Sequence, residues 1–339
     1  LLRAGADFAY GSIYLSRWLS LRGWKQGAGQ EGILATDIPD LATGGGRRWQ
    51  TFALSLKQNK IMKENSKVWF ITGASRGFGR IWAEAALHRG DKVVATARKI
   101  DSIAGLNEKF GGNVLTLELD VTDDERVKAV VEQAHAHFGR LDIVMNNAGY
   151  SLVGTIEEAS ANDVRRLYDT NIFGTLSVIK AALPLLRRQG GGRILGVSSS
   201  LGHVTLPVIG YYCSSKWAFE AIHESLAAEV REFGIKVTII EPGAYATEFG
   251  SQDSLKFASD LDIYSGFKAS FFERLQKSER GDPAATPEAL FQIVDAEEPP
   301  LRFFLGSHNL AWVRAAYQER IATWEAWEAV SSSAQGVSK

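Results

Sequence analysis

Tyr212-Cys213-Ser214-Ser215-Lys216 sets a phenol and an ammonium four residues apart, a spacing that puts both on one face if the stretch opens a helix. A free phenol titrates near pH ~10, so proton exchange near neutrality requires its phenolate to be stabilised. Lowering the value by about 3 units corresponds to roughly 4 kcal/mol, and a nearby ammonium acts in that direction. Tyr-x-x-x-Lys alone also occurs on ordinary surface helices. Ser199 lies 13 residues before Tyr212, flanked by Ser198 and Ser200, and any of the three could cap or turn the chain. Tyr211 finds Ser215, not a lysine, four residues on, and is expected to pack or to face a substrate. Cys213 has no histidine placed locally to make a thiolate and is expected to behave as a small hydrophobe.

A second group of residues suits anion binding. Thr72-Gly73-Ala74-Ser75-Arg76-Gly77-Phe78-Gly79 precedes the helical stretch Arg80 to Arg89. Glycines at 73, 77 and 79 permit backbone angles closed to other residues and a close approach to a ligand. The helix N-terminus behind them offers unpaired N–H groups to a pyrophosphate. Such clusters also serve merely as tight turns.

The elements that must position these groups follow a rhythm. Short β-branched runs at Lys67 to Thr72, Lys92 to Thr96, Val114 to Leu119, Leu141 to Met145, Arg193 to Val197 and Lys236 to Ile240 alternate with longer amphipathic stretches, the pattern of strands joined by crossover helices. Continuous runs such as Val237-Thr238-Ile239-Ile240 suit strands covered on both faces. The fold class expected is a doubly wound, Rossmann-like parallel α/β sheet in a single domain. Beyond Pro299-Pro300, Leu301 to Leu305 is expected as a last strand. His308 to Val330 is expected as a terminal helix with Val313, Tyr317, Ile321 and Trp324 along one face.

The turn resembles the T-G-x-x-x-G-x-G turn of the short-chain dehydrogenase/reductase family, matched residue for residue, and the likeness extends over about residues 65 to 250. It implies a nicotinamide cofactor held by Gly73, Ser75, Arg76, Gly77, Phe78 and Gly79. It implies an adenine contact at Asp120-Val121, where the bland alternative for Asp120 is a helix cap. Asn147, Ala148 and Gly149, in the run from Asn146, would steady the sheet beside the cofactor. Pro242, Gly243 and Thr247 match the family's P-G-x-x-x-T segment, which closes over the nicotinamide. By the same resemblance Tyr212 is the proton donor and acceptor, Ser199 holds the substrate carbonyl, and Lys216 lowers the tyrosine's pKa and binds ribose hydroxyls. Asn171 keeps a water in the proton relay; its bland alternative is a buried polar residue with local hydrogen bonds.

No acidic residue stands at the end of the second strand, where a carboxylate would receive the ribose hydroxyls of NAD; Arg98 and Lys99 stand there instead. Arg98 could take the 2′-phosphate of NADP, with Arg76 as a second cation, so NADP(H) is the expected cofactor. The activity implied is hydride transfer between nicotinamide and a carbonyl or alcohol, with reduction of an apolar ketone or aldehyde favoured. The stretch 249–283 carries Phe249, Phe257, Tyr264, Phe267, Phe271 and Phe272 and is expected to cover the substrate, though core packing of a lid helix explains the same spacing. An NAD-dependent alcohol dehydrogenase and a non-catalytic NADP(H)-binding redox sensor are the alternatives.

The formal net charge of -1 over 339 residues gives no electrostatic footprint for nucleic acid. The apolar stretches fall short of the roughly 18 residues that a membrane span needs. One cysteine allows no intrachain disulfide and fits a cytoplasmic location. No metal is expected, and His203 and His223, without ligand-like spacing, are expected to be structural. A homodimer or homotetramer follows from the resemblance alone. Residues 1–61 lack the strand and helix rhythm and are expected to be a disordered or non-native extension, with the domain occupying 62–339; a transit peptide is the weaker alternative.

Overall fold

β1 (Val68–Ile71) shows why the sheet is covered on both faces: Val68 and Phe70 enter one hydrophobic cluster, whereas Trp69 and Ile71 enter another. Side chains alternate along a strand, so a run that is apolar throughout needs a packing layer on each side. The structure is a computed structural model that describes residues 66–248 and 254–336, within the compact unit Asn65–Lys339. The expectations for residues 1–61 and for Phe249 fall outside the described residues.

Seven parallel strands form the main sheet in the order β3-β2-β1-β4-β6-β7-β9. They are β1, β2 (Lys92–Ala97), β3 (Val114–Glu118), β4 (Ile143–Asn146), β6 (Gly192–Val197), β7 (Ile235–Pro242) and β9 (Arg302–Leu305). The two-stranded sheet pairs β5 (Ser151–Val153) in parallel with β8 (Leu255–Phe257). All seven expected strands of the main sheet are present. The order reverses between β1 and β4, and ligands of open α/β sheets bind at the carboxyl ends of the strands at such a switch point.

One cluster packs α3 (Asp124–Phe138) and α5 (Thr175–Arg188) on the sheet through Val127, Val130, Val131, Val178 and Leu186. On the other face lie α1 (Gly77–His88) and α8 (Pro287–Asp295), with Trp82, Ala83, Leu290 and Val294. Both large indoles of this layer are buried with their N–H groups satisfied: Trp82 Nε1 donates to Thr286 Oγ1 at 2.8 Å, and Trp69 Nε1 to Asp91 Oδ2 at 2.8 Å. Removing either ring would cost about 3–5 kcal/mol.

The expected last strand and terminal helix are present, but the helix is interrupted. α9 (Asn309–Ala326) ends at Trp327, and the short α10 (Glu328–Ser333) follows. Only the first half of the expected apolar face is covered: Val313 is buried, while Ile321 and Trp324 are exposed. In the expected cover, α7 (Ser265–Gln276) buries Phe271 and half-buries Phe272 against Val153, Val208 and Leu255. Phe257 and Phe267 remain exposed. Among the described residues no helix is long and apolar enough to cross a membrane.

Candidate active site at the carboxyl ends of the strands

The glycine turn is locked onto the end of β4. Gly73 has φ +66°, and a Cβ there would approach the Ala148 Cα to 3.0 Å. A Cβ on Gly79 would overlap both Asn147 Nδ2 and the Gly73 carbonyl oxygen. The same amide of Asn147 donates to the carbonyls of Thr72 (2.9 Å) and Gly73 (3.0 Å), and the Thr72 hydroxyl accepts from the backbone of Asn147 and Ala148 at 3.0 Å each. β1 and β4 therefore end in one cross-braced corner.

Arg76, at the N-cap of α1, has an extended backbone and makes no side-chain cap hydrogen bond, and the first turn holds no acidic residue. The Gly77 N–H is nevertheless engaged, donating to Glu248 Oε2 at 3.0 Å. Ser75 and Arg76 are half-buried along the turn, and Phe78 stacks on Trp82 with centroids 4.7 Å apart and meets Tyr245 edge-on at 5.2 Å. Thr247 closes on the same turn, its Cβ 3.8 Å from where a Cβ of Gly77 would stand. The cradle thus fits a dinucleotide: glycines where a Cβ would collide, and helical N–H groups facing a site where the chain itself has placed a carboxylate. Arg98 and Lys99 are exposed beyond the end of β2.

Asp120 is exposed, and its Oδ1 accepts from the backbone and hydroxyl of Thr122 at 3.0 and 2.8 Å. The helix cap weighed for Asp120 falls instead to Asp123, whose side chain accepts from Arg126 N. Val121 is buried against Gly174, where any Cβ would overlap it.

α6 (Gly210–Val230) carries Tyr212 and Lys216 on one buried face, as the spacing predicted. Lys216 Nζ donates to the Val197 carbonyl at 2.8 Å, which docks the helix on the end of β6, and lies 5.7 Å from the centre of the Tyr212 ring. Ser199 stands beside the Tyr212 hydroxyl and favours its ionised form. The Ser199 Oγ accepts from Leu201 N at 3.1 Å and lies 3.5 Å from the Pro242 carbonyl. Ser199 is the serine that acts on the tyrosine, while Ser198 sits beside Glu220.

The electrostatics run opposite to the expected lowering of the phenol. Burial pushes the Tyr212 pKa up, and the Ser199 hydroxyl only partly opposes it. Burial also pulls Lys216 down to about 8, against the attraction of Glu220. Desolvation of the charged form outweighs the pairing, and the ammonium hydrogen-bonds a backbone carbonyl. Cys213 is buried with its thiol pushed up by burial, the behaviour of a small hydrophobe.

Asn171 lies in a π-helical segment, Asp169–Gly174, between α4 (Ala161–Tyr168) and α5, and such bulges frequently mark functional sites. Its side chain is committed to protein partners: Oδ1 accepts from Tyr150 N at 3.1 Å, and Nδ2 donates to Tyr150 O at 3.0 Å and Ser215 Oγ at 3.1 Å. Gly149 brings it to the lysine, since a Cβ there would stand 3.2 Å from Asn171 Oδ1 and 4.0 Å from Lys216 Nζ. Gly243 has a reason the sequence did not reveal: a Cβ would overlap the buried side chain of Asn309, which donates to Leu305 O at 2.8 Å.

The loop between Ser199 and Tyr212 holds Val208 at φ +70°, a strained conformation for a β-branched residue. Its carbonyl accepts from Gly154 N at 2.7 Å and its side chain is buried beside Phe271. Glu158 anchors the cover to the same region, accepting from Lys268 Nζ, from Leu261 N at 2.9 Å and from Thr155 N at 2.8 Å. These bonds hold its carboxyl down at about 2.

A switch-point glycine turn with a Ser, Tyr and Lys assembled beside it defines a nucleotide-binding oxidoreductase class. The chain belongs to the short-chain dehydrogenase family, whose sequence model, described as "short chain dehydrogenase", matches residues 67–256. It is 38% identical over 270 residues to Oxidoreductase BOA17 of Botryotinia fuckeliana, covering 78% of this chain and 98% of that one. Against the 3-ketodihydrosphingosine reductase of Bacteroides thetaiotaomicron it is 35% identical over 239 residues, 70% of this chain and 86% of the relative. A crystal structure of a short-chain dehydrogenase from Streptomyces avermitilis superposes with a TM-score of 0.75 at 35% identity, covering 80% of this chain and 99% of that one. A short-chain dehydrogenase from Burkholderia cenocepacia in complex with NADP gives a TM-score of 0.62 at 25% identity, over 77% and 96% of the two chains.

Proposed function

We propose that the chain is an NADP(H)-dependent reductase of apolar ketones or aldehydes, with Tyr212 as proton donor. The observation that carries this reading is Ser199 set beside the Tyr212 hydroxyl at the end of β6, with Lys216 one helical turn further on. NADP(H), when bound, supplies the hydride. Gly73, Gly77 and Gly79 with the α1 N-terminus would hold the pyrophosphate, Arg98 and Arg76 the 2′-phosphate, and Lys216 the ribose hydroxyls.

Burial keeps Tyr212 protonated, which is the state a donor to a carbonyl oxygen needs, and this favours the reductive direction. Ser199 orients the carbonyl by donating its hydroxyl hydrogen. Lys216, at about 8, is largely an ammonium near neutrality and stabilises the phenolate that forms as the proton leaves. Asn171 fixes the Tyr150 backbone and Ser215 around the lysine. The aromatic side chains of the cover, with Phe257 and Phe267 exposed, support an apolar substrate, and the 3-ketodihydrosphingosine reductase among the relatives supports a ketone.

The test is oxidation of NADPH and of NADH by the purified chain against a panel of long-chain and cyclic ketones and aldehydes. Turnover with NADPH that exceeds turnover with NADH by about tenfold or more, and that Arg98→Ala equalises, is the expected result. Preference for NADH sinks the cofactor assignment; tight NADPH binding with no turnover on the panel sinks the reductase reading and favours the sensor.

A further inference from the structure

Behind the catalytic corner, on the side of β7 facing α9, three ligand-type side chains from three elements converge. Glu241 follows the apolar run of β7 and is 0% exposed; Glu220 lies one turn beyond Lys216 on α6; His203 lies four residues beyond Ser199. One donor atom from each lies within 4.8 Å of the others. We propose that His203, Glu220 and Glu241 bind one divalent first-row cation, with zinc the ion their donor set fits best.

The unpaired atoms point to a ligand. Both oxygens of Glu241, Oε1 of Glu220 and Nε2 of His203 are buried without a hydrogen-bond partner. His203 Nε2 faces Glu241 Oε1 at 3.0 Å, an ion pair only if that nitrogen carries a proton. A buried carboxylate without a donor costs several kcal/mol, so positive charge belongs between these groups. The imidazole is already oriented as a metal ligand requires: Nδ1 meets the Tyr317 hydroxyl at 3.2 Å, and the ring packs on Phe304. A proton on Nδ1, donated to Tyr317, leaves Nε2 free to coordinate.

The charged groups around the cluster suit a cation. Arg302 pairs with Glu220 (Nε to Oε2, 3.2 Å) and Glu224 (Nη2 to Oε2, 2.8 Å) and lies 3.7 Å from Glu241. Lys216, the other nearby cation, is turned to the Val197 carbonyl. Arg302 is shared among Glu220, Glu224 and Glu241, and a divalent ion between Glu220 and Glu241 would add positive charge there while Arg302 keeps Glu224. Zinc takes imidazole nitrogen and carboxylate oxygen at about 2.0–2.2 Å and accepts three protein ligands with a fourth position open. A cleft of about 560 Å³ lined by the same residues with Trp217 and Tyr317 gives the ion access. Bound there, it would tie the segment after Ser199 to β7, α6 and α9.

Helix and strand spacing conceals such a site, because no two of the ligands lie close in sequence.

The full chain, untagged and dialysed against EDTA, should be titrated with ZnCl2 by calorimetry and with CoCl2 by visible absorption. One equivalent should bind, cobalt should give the absorption of a low-coordinate site, and Tm should rise. His203→Gln should weaken binding at least about 100-fold and Tyr317→Phe about 10-fold, which separates this site from the exposed histidines. If Glu241→Gln does not fold, these two variants carry the test. A folded wild-type chain that binds no zinc at micromolar concentrations, or that binds it unchanged in His203→Gln, overturns the proposal and assigns the missing charge to protons on His203 and Glu220.

Discussion

Burial holds Tyr212 neutral in the structure, and Lys216 donates to the Val197 carbonyl. Tyr212→Phe removes the transferable proton while leaving the ring in place, so kcat should fall about 10²- to 10⁴-fold with the NADPH Kd within twofold of wild type. A Kd that moves with kcat would mean that the hydroxyl serves binding. Glu248 gives a prediction of opposite sign. Its carboxylate occupies the Gly77 N–H, a donor aimed where a phosphate would sit, so Glu248→Gln should tighten NADPH binding about threefold or more in fluorescence titration. An unchanged or weaker affinity would show that the glutamate yields without cost. The tyrosine and lysine were legible in the sequence because their relation is local, four residues on a helix. The partner of Gly243 was not, because Asn309 is distant in sequence and only the fold brings it there.

Elements explain which expectations transferred. The main strands announced themselves by length and β-branched composition, and the glycine turn by fixed spacing. β5 and β8 have three residues each, too few for any periodicity to register, and their pairing depends on the cover folding back. The cover hangs on Glu158. Its folded-state value of about 2 lies below the ordinary 4.5, so its contribution to stability is present above about pH 4.5 and is lost as pH falls toward 2. Glu158→Gln should therefore flatten the acid limb of a Tm–pH curve while lowering Tm at neutrality. A variant whose acid limb parallels the wild type would exclude the carboxylate as the anchor. At the turn, Gly79→Ala must force Asn147 and the Gly73 carbonyl apart; destabilisation of about 1–3 kcal/mol by urea unfolding, with loss of NADPH binding, is expected. Retained affinity would mean that the turn tolerates a wider corner.

Across the whole molecule, the sheet is protected by a layer on each face, whereas the β5–β8 pair and α7 rest on the small cluster of Val153, Val208 and Phe271. Backbone amides of β5 and β8 should exchange with deuterium well before those of β1, β4 and β6; equal protection would make the cover part of the global unfolding unit. The order of synthesis adds a constraint. β7 pairs with β9 through Ile239↔Arg302 to Pro242↔Leu305, so a ribosome that has delivered β7 must add some sixty more residues before that edge is covered. Until then the nascent chain carries an apolar strand with open hydrogen-bonding groups, the template on which chains aggregate. A holding chaperone would bind at that interval, and slowing translation beyond residue 242 would lower the yield of soluble protein.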